Sequence, residues 1–156
     1  MNISNIIKPS FSQSLYLKIS VIVILLFRAL LLIYIPLLDK TEARYAEIAR
    51  LMNETGRWIT LQIDYGVPFW SKPPLSTWLS SLSYELFGVN EFASRFPSFL
   101  IALVVIYLVS KFSRENSLSF YLPAFILVTL PEFLIHAGVT STDSALLFSI
   151  CLSMLS

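Results

Sequence analysis

The chain has 156 residues, 56% of them hydrophobic and 13% charged, with a net charge of +1, one Cys and one His. A soluble domain averages roughly 45–50% apolar and about 25% charged, so this composition points to an integral membrane protein. It provides no basic cluster for nucleic acid, and the lone Cys151 and lone His136 exclude a disulfide framework and a Cys- or His-based metal site within the chain.

Residues 1–14 are polar, Ser/Asn-rich and carry Lys8, which suits a cytoplasmic tail. Residues 15–38 form the first apolar run. About 20 helical residues cross a bilayer core, so this run suffices for transmembrane helix 1. A cleaved signal peptide would have a shorter apolar region and a small-x-small site after it. Pro36-Leu37-Leu38-Asp39 follows instead, which favours a retained helix. Arg28 in mid-run reads as a snorkelling or helix-paired arginine.

Residues 39–95 contain no spanning run and read as an outer loop. Within it, 39–78 concentrates acids, bases, Trp and Pro in a chain otherwise rich in Leu, Ile, Val and Phe. Residues 41–55 predict an amphipathic surface helix. Tyr45, Ile48, Ala49 and Met52 share one face, Glu47/Arg50 and Arg50/Glu54 are spaced to pair on another, and Gly56 is the stop. A short extended piece then leads to a Tyr65-Gly66 turn. Phe69-Trp70-Ser71-Lys72-Pro73-Pro74 is a rigid aromatic corner, and Pro74 opens a second surface helix over 75–87, closed by Gly88. Trp58, Trp70 and Trp78 fit a membrane–water interface.

The remaining expectations are transmembrane helix 2 over 98–112, a cytoplasmic turn over 113–117, transmembrane helix 3 over 118–136, and an outer turn over 138–142. Residues 143–156 would begin transmembrane helix 4, yet are too few to cross a bilayer. The expectation is therefore an amino-terminal portion of a larger all-α membrane fold. Basic charge in the tail and in the 111–115 stretch places both inside. That puts Asp39, Glu42 and Asp143 on one outer face.

Three groups could carry chemistry. Asp39 and Glu42 lie where a spanning helix meets a surface helix, and a carboxylate there can serve as a general base. The same spacing is that of a capping box, with Asp39 as N-cap and Glu42 three residues on. Lys72, held between aromatics and prolines, can pair with a phosphate, and Arg44 can add a bidentate contact. Both can equally be interfacial or exposed side chains. Asp143 opens the fourth helix, where the helix dipole alone also favours an acid.

Glu42-Ala43-Arg44-Tyr45-Ala46-Glu47-Ile48, then Lys72-Pro73-Pro74, then Leu86-Phe87-Gly88 and Arg95 form a pattern in order and spacing. It resembles the polyprenyl-phosphate-sugar-dependent membrane glycosyltransferases. These include the bacterial aminoarabinose transferase acting on lipid A and the dolichyl-phosphate-mannose protein mannosyltransferases. The resemblance implies a C-type glycosyltransferase fold in the bacterial inner membrane. It also implies a lipid-linked sugar donor and transfer to a lipid, glycan or protein acceptor on the non-cytoplasmic face. By motif position it places Arg44, Tyr45 and Lys72 on the lipid phosphate and Asp143 as a second acid. Many members carry Asp-Glu where this chain has Thr41-Glu42, which leaves the first acid's role to Asp39 or Glu42. Some carry Glu where Ser71 stands, so a metal ligand there is not carried over, and the inferred mechanism calls for no cofactor. Two other readings remain. One is a non-catalytic relative that binds lipid or partner helices. The other is a transporter, whose polar groups should lie at the bilayer midplane rather than at the interface.

Overall fold

The computed structural model describes residues 11–37, 39–115 and 119–155. The expected tail before Phe11, Leu38, residues 116–118 and Ser156 lie outside these. The elements in order are α1 (Phe11–Tyr34), α2 (Lys40–Thr55), β1 (Gln62–Asp64), β2 (Val67–Pro68), α3 (Leu75–Phe87), α4 (Glu91–Glu115), α5 (Tyr121–Thr129), α6 (Pro131–His136) and α7 (Asp143–Leu155).

Helix α1 ends at Tyr34, four residues before the expected 15–38 boundary. Pro36 accounts for this, since a residue preceding proline avoids the helical region. The helix exposes Leu15, Ile19, Ile22, Val23, Leu26 and Leu30. Its inner side packs Val21 with Ile106 of α4 and Ala124 and Val128 of α5. By length and composition, Ser12–Tyr34 and Glu91–Glu115 are both able to cross a membrane.

The predicted apolar face of α2 is its buried face. Tyr45, Ile48 and Met52 pack with Leu61, Trp58 and Phe69, and Ala49 packs with Tyr84 of α3 and Ala93 of α4. Two facing alanines bring helix backbones close. Arg50 bonds Glu47 at 2.7 Å and Glu54 at 2.5 Å, as their spacing predicts. Gly56 closes α2 at φ 66°, its N–H donating to Met52 O. The stretch after it forms a two-stranded antiparallel hairpin around Tyr65-Gly66, where Gly66 has φ 77°.

Further boundaries differ from expectation: α1 already begins at Phe11, within the expected 1–14 tail, and α4 runs to Glu115, into the expected 113–117 turn. Helix α4 begins at Glu91 rather than 98, so residues 91–95 belong to this helix and not to the preceding loop. Asn90 starts it, its Oδ1 accepting from Ala93 N at 2.8 Å. Pro97 lies inside α4 and is buried there, so packing outweighs the lost backbone donor. The expected single helix over 118–136 is two helices, broken at Leu130, which is extended (φ −76°, ψ 116°) before Pro131.

Candidate functional site

Asp39 caps α2. Its Oδ1 accepts from Thr41 N at 2.5 Å and from Glu42 N at 3.3 Å. These backbone donors, Thr41 first and Glu42 second, hold its carboxyl below the usual carboxylate range. A base so stabilised in its charged form is a weak proton acceptor.

Glu42 does not complete the capping box. It turns inward, 4% exposed, to Arg95 of α4, whose Nε donates to Oε1 at 2.7 Å and whose Nη2 donates to Oε2 at 2.8 Å. Thr140 N donates to the same Oε1 at 3.1 Å. Arg95 also donates to Ile35 O through Nη1 and to Pro36 O at 3.1 Å. A bidentate pair of this kind is strong and directional. Here it ties the end of α1, the start of α2, α4 and the turn before α7 together.

Arg28 supplies a second clasp. Its Nε donates to Leu134 O at 2.8 Å and its Nη2 to Ile135 O at 3.0 Å, at the carbonyl end of α6. A helix C-terminus leaves carbonyls unpaired and carries partial negative charge, so a guanidinium there is accommodated without a carboxylate. Gly138 makes room for it: an added Cβ would fall 2.2 Å from Arg28 Nη2. Asp39, Glu42, Arg28, Arg95, Pro131 and Leu134 are among the residues lining a cavity of about 480 Å³.

Asp143 lies on different walls. It is 57% exposed, and its Oδ2 is 3.7 Å from His136 Nδ1. With Lys72, Pro73, Ser76, Thr142 and Ser149 it lines a cavity of about 240 Å³. It also borders a larger, mostly apolar cavity of about 550 Å³ beside Leu127, Pro131, Phe133 and His136. The structure therefore brings Lys72 and Asp143 together and sets Asp39 and Glu42 around another opening. Thr140, bonded to Glu42 and three residues before Asp143, connects the two.

Arg44 is exposed on α2, whereas Tyr45 is 9% exposed within the core. Tyr45 meets Phe69 edge-on at 6.5 Å, three residues ahead of Lys72. Among the described residues no group of three His, Cys, Asp or Glu side chains is placed to hold a metal ion. Sequence spacing did not reveal the Glu42–Arg95 pair, the Thr140 contact or the seat at Gly138. Arg95 within the motif series and Arg28 within an apolar run were their only signals.

The family described as dolichyl-phosphate-mannose-protein mannosyltransferase matches residues 37–156. The undecaprenyl phosphate-alpha-4-amino-4-deoxy-L-arabinose arabinosyl transferase of Wigglesworthia glossinidia brevipalpis is 35% identical over 137 residues, 85% of this chain and 24% of that protein. The protein of the same name from Shewanella sediminis is 31% identical over 134 residues, 79% of this chain and 24% of that one. The crystal structure of ArnT from Cupriavidus metallidurans in the apo state superposes with a TM-score of 0.73 at 23% identity, over 90% of this chain and 26% of that one. The chain spans about a quarter of the length of each of these proteins.

Proposed function

This chain belongs to the dolichyl-phosphate-mannose-protein mannosyltransferase family of membrane glycosyltransferases, and from that membership we propose that it forms part of an enzyme transferring a sugar from a polyprenyl-phosphate donor. Its architecture is the all-α membrane fold of C-type glycosyltransferases, as the sequence pattern implied. The acceptor in this reading is a lipid, glycan or protein on the non-cytoplasmic face of a bacterial inner membrane. The names of the two arabinosyl transferases favour a polyprenyl-phosphate donor of this kind.

The observation that carries the proposal is the cavity shared by Lys72 and Asp143. Asp143 takes the proton from the acceptor nucleophile as that nucleophile attacks the anomeric carbon. The bond to the phosphate oxygen breaks with inversion, and Lys72 holds the charge of the departing polyprenyl phosphate. Arg44, exposed on α2, is a second cation for that phosphate. Tyr45 acts indirectly, by packing against Phe69 and so fixing the segment that carries Lys72. Glu42 and Asp39 hold the frame: Glu42 anchors the turn before Asp143, and Asp39 caps α2. No step in this account needs a metal.

Assay of the full-length protein with a radiolabelled polyprenyl-phosphate sugar tests the proposal. Lys72→Ala and Asp143→Asn should each lower transfer by roughly 100-fold or more, the scale of a removed general base. Unchanged transfer in both variants would sink it. A second reading, a non-catalytic relative that binds lipid or partner helices, draws on the engagement of both Asp39 and Glu42 in structural bonds. Absence of transfer by the unaltered protein, with retained lipid binding, would favour it.

A further inference from the structure

His136 is the chain's only histidine, and it stands between two acids. Its Nε2 is 3.8 Å from Glu132 Oε1, one turn back in α6, and its Nδ1 is 3.7 Å from Asp143 Oδ2 at the start of α7. Nδ1 is buried and has no hydrogen-bond partner; 3.7 Å is too long for one. A carboxylate only accepts, so each ring nitrogen that faces one is best served by carrying a proton. The neutral ring has a single N–H and can satisfy one acid. The imidazolium satisfies both.

The surroundings leave these as the groups in play. Lys72 lines, with Asp143, a cavity that His136 does not border. The Arg28 guanidinium is bound to Leu134 O and Ile135 O at the end of α6. Helices α4 and α5 contribute apolar wall on this side, Ile101, Ala102 and Leu127. Glu132 is 90% exposed, so water is its alternative partner. Asp143, 57% exposed, can also turn to water, and it shares a cavity with Lys72.

We propose that His136 is a positioning residue that sets which cavity Asp143 serves: the imidazolium holds the carboxylate against α6, and the neutral ring releases it towards Lys72. The ring forms no bond to donor or acceptor; it exchanges one proton with solvent. The inference rests on Asp143 taking part in transfer, as proposed above. Transfer is then suppressed when the ring is protonated, because the base is occupied and turned away from the phosphate-side cavity.

Two measurements on the full chain in lipid nanodiscs test this. The first is NMR of 15N-labelled histidine, with the His136 imidazole signals assigned by their loss in His136→Asn. At acid pH, Asp143→Asn shifts the Nδ1 signal and Glu132→Gln shifts the Nε2 signal. Indifference of the ring to Asp143→Asn overturns the proposal, whether or not the protein transfers sugar. The second is the pH profile of transfer from acid to neutral pH. The unaltered protein loses rate towards the acid end. His136→Asn, whose amide donates a hydrogen bond at every pH, removes most of that loss. A shared acid limb in the two proteins overturns the proposal. Should no variant transfer sugar, the glycosyltransferase reading fails, and the NMR result alone decides the contact.

Discussion

Arg95 grips both carboxylate oxygens of Glu42 across 53 residues of sequence, at 2.7 Å and 2.8 Å, with both side chains 4% exposed. Removing one partner strands the other charge in a dry place. Glu42→Leu or Arg95→Met should destabilise the chain by about 3–5 kcal/mol. The paired change Glu42→Leu with Arg95→Met should fall closer to the unaltered protein than either single variant does. Thermal unfolding in a neutral detergent, run as a double-mutant cycle, gives the comparison. Additive losses would show that the two residues do not act as a pair.

Gly138 is needed for its missing side chain and not for its backbone angle. A methyl there meets Arg28 at 2.2 Å and Leu32 Cδ2 at 2.7 Å, so Gly138→Ala should cost about 1–3 kcal/mol, the range for overpacking. Adding Arg28→Ala removes the clash with the guanidinium but not the one with Leu32, and it takes the Arg28 donors from Leu134 O and Ile135 O. The double variant should therefore recover only part of the stability. Hydrogen exchange at the 138–142 turn provides the local readout.

Asp39 adds a pH term to stability. Its carboxyl is held below the ordinary range by the Thr41 and Glu42 amides, so the folded state prefers it charged. That contribution is fully present above the unfolded value, about 3.9, and disappears as the pH falls further through the depressed folded value. The midpoint of thermal unfolding for the unaltered chain should therefore drop more steeply below about pH 4 than that of Asp39→Asn. Superimposable acid limbs would remove the cap from this account.

Ile48 and Arg44 lie one turn apart on α2, and their substitutions should separate fold from ligand binding. Ile48 is completely buried, so Ile48→Ala should cost about 2–5 kcal/mol. Arg44 is exposed, so Arg44→Ala should leave stability within roughly 0.5 kcal/mol. If Arg44 meets the donor phosphate, the same substitution raises the apparent KM for the polyprenyl-phosphate sugar. An Arg44→Ala protein with unaltered kinetics would remove it from the site.

The parts of the molecule that local rules govern were legible. The α2 face, the Arg50 pairs and the stops at Gly56 and Gly88 depend on neighbours within a turn, and spacing reports such neighbours. The break at Pro131 was also written in the chain, but the apolar length of 118–136 concealed it. Asn90 is an equally local start signal for α4, accepting from Ala93 N three residues on. What periodicity does not carry is the partner of Glu42. A capping box and a buried ion pair ask for the same residue three positions after Asp39, and only the arrival of Arg95 from α4 decides between them. For the same reason spacing does not assign Asp39, Glu42 and Asp143 to their separate cavities.

Helix α6 is six residues long, and Pro131 borders both the 550 Å³ and the 480 Å³ cavities. Glu132, Phe133 and His136 face the first of these, and Leu134 and Ile135 face the second. The short helix is thus a partition between two rooms, clasped to the frame by Arg28. A guest that presses on Pro131 from either side encroaches on the other room, so two ligands accommodated by moving this wall would enter in turn rather than together.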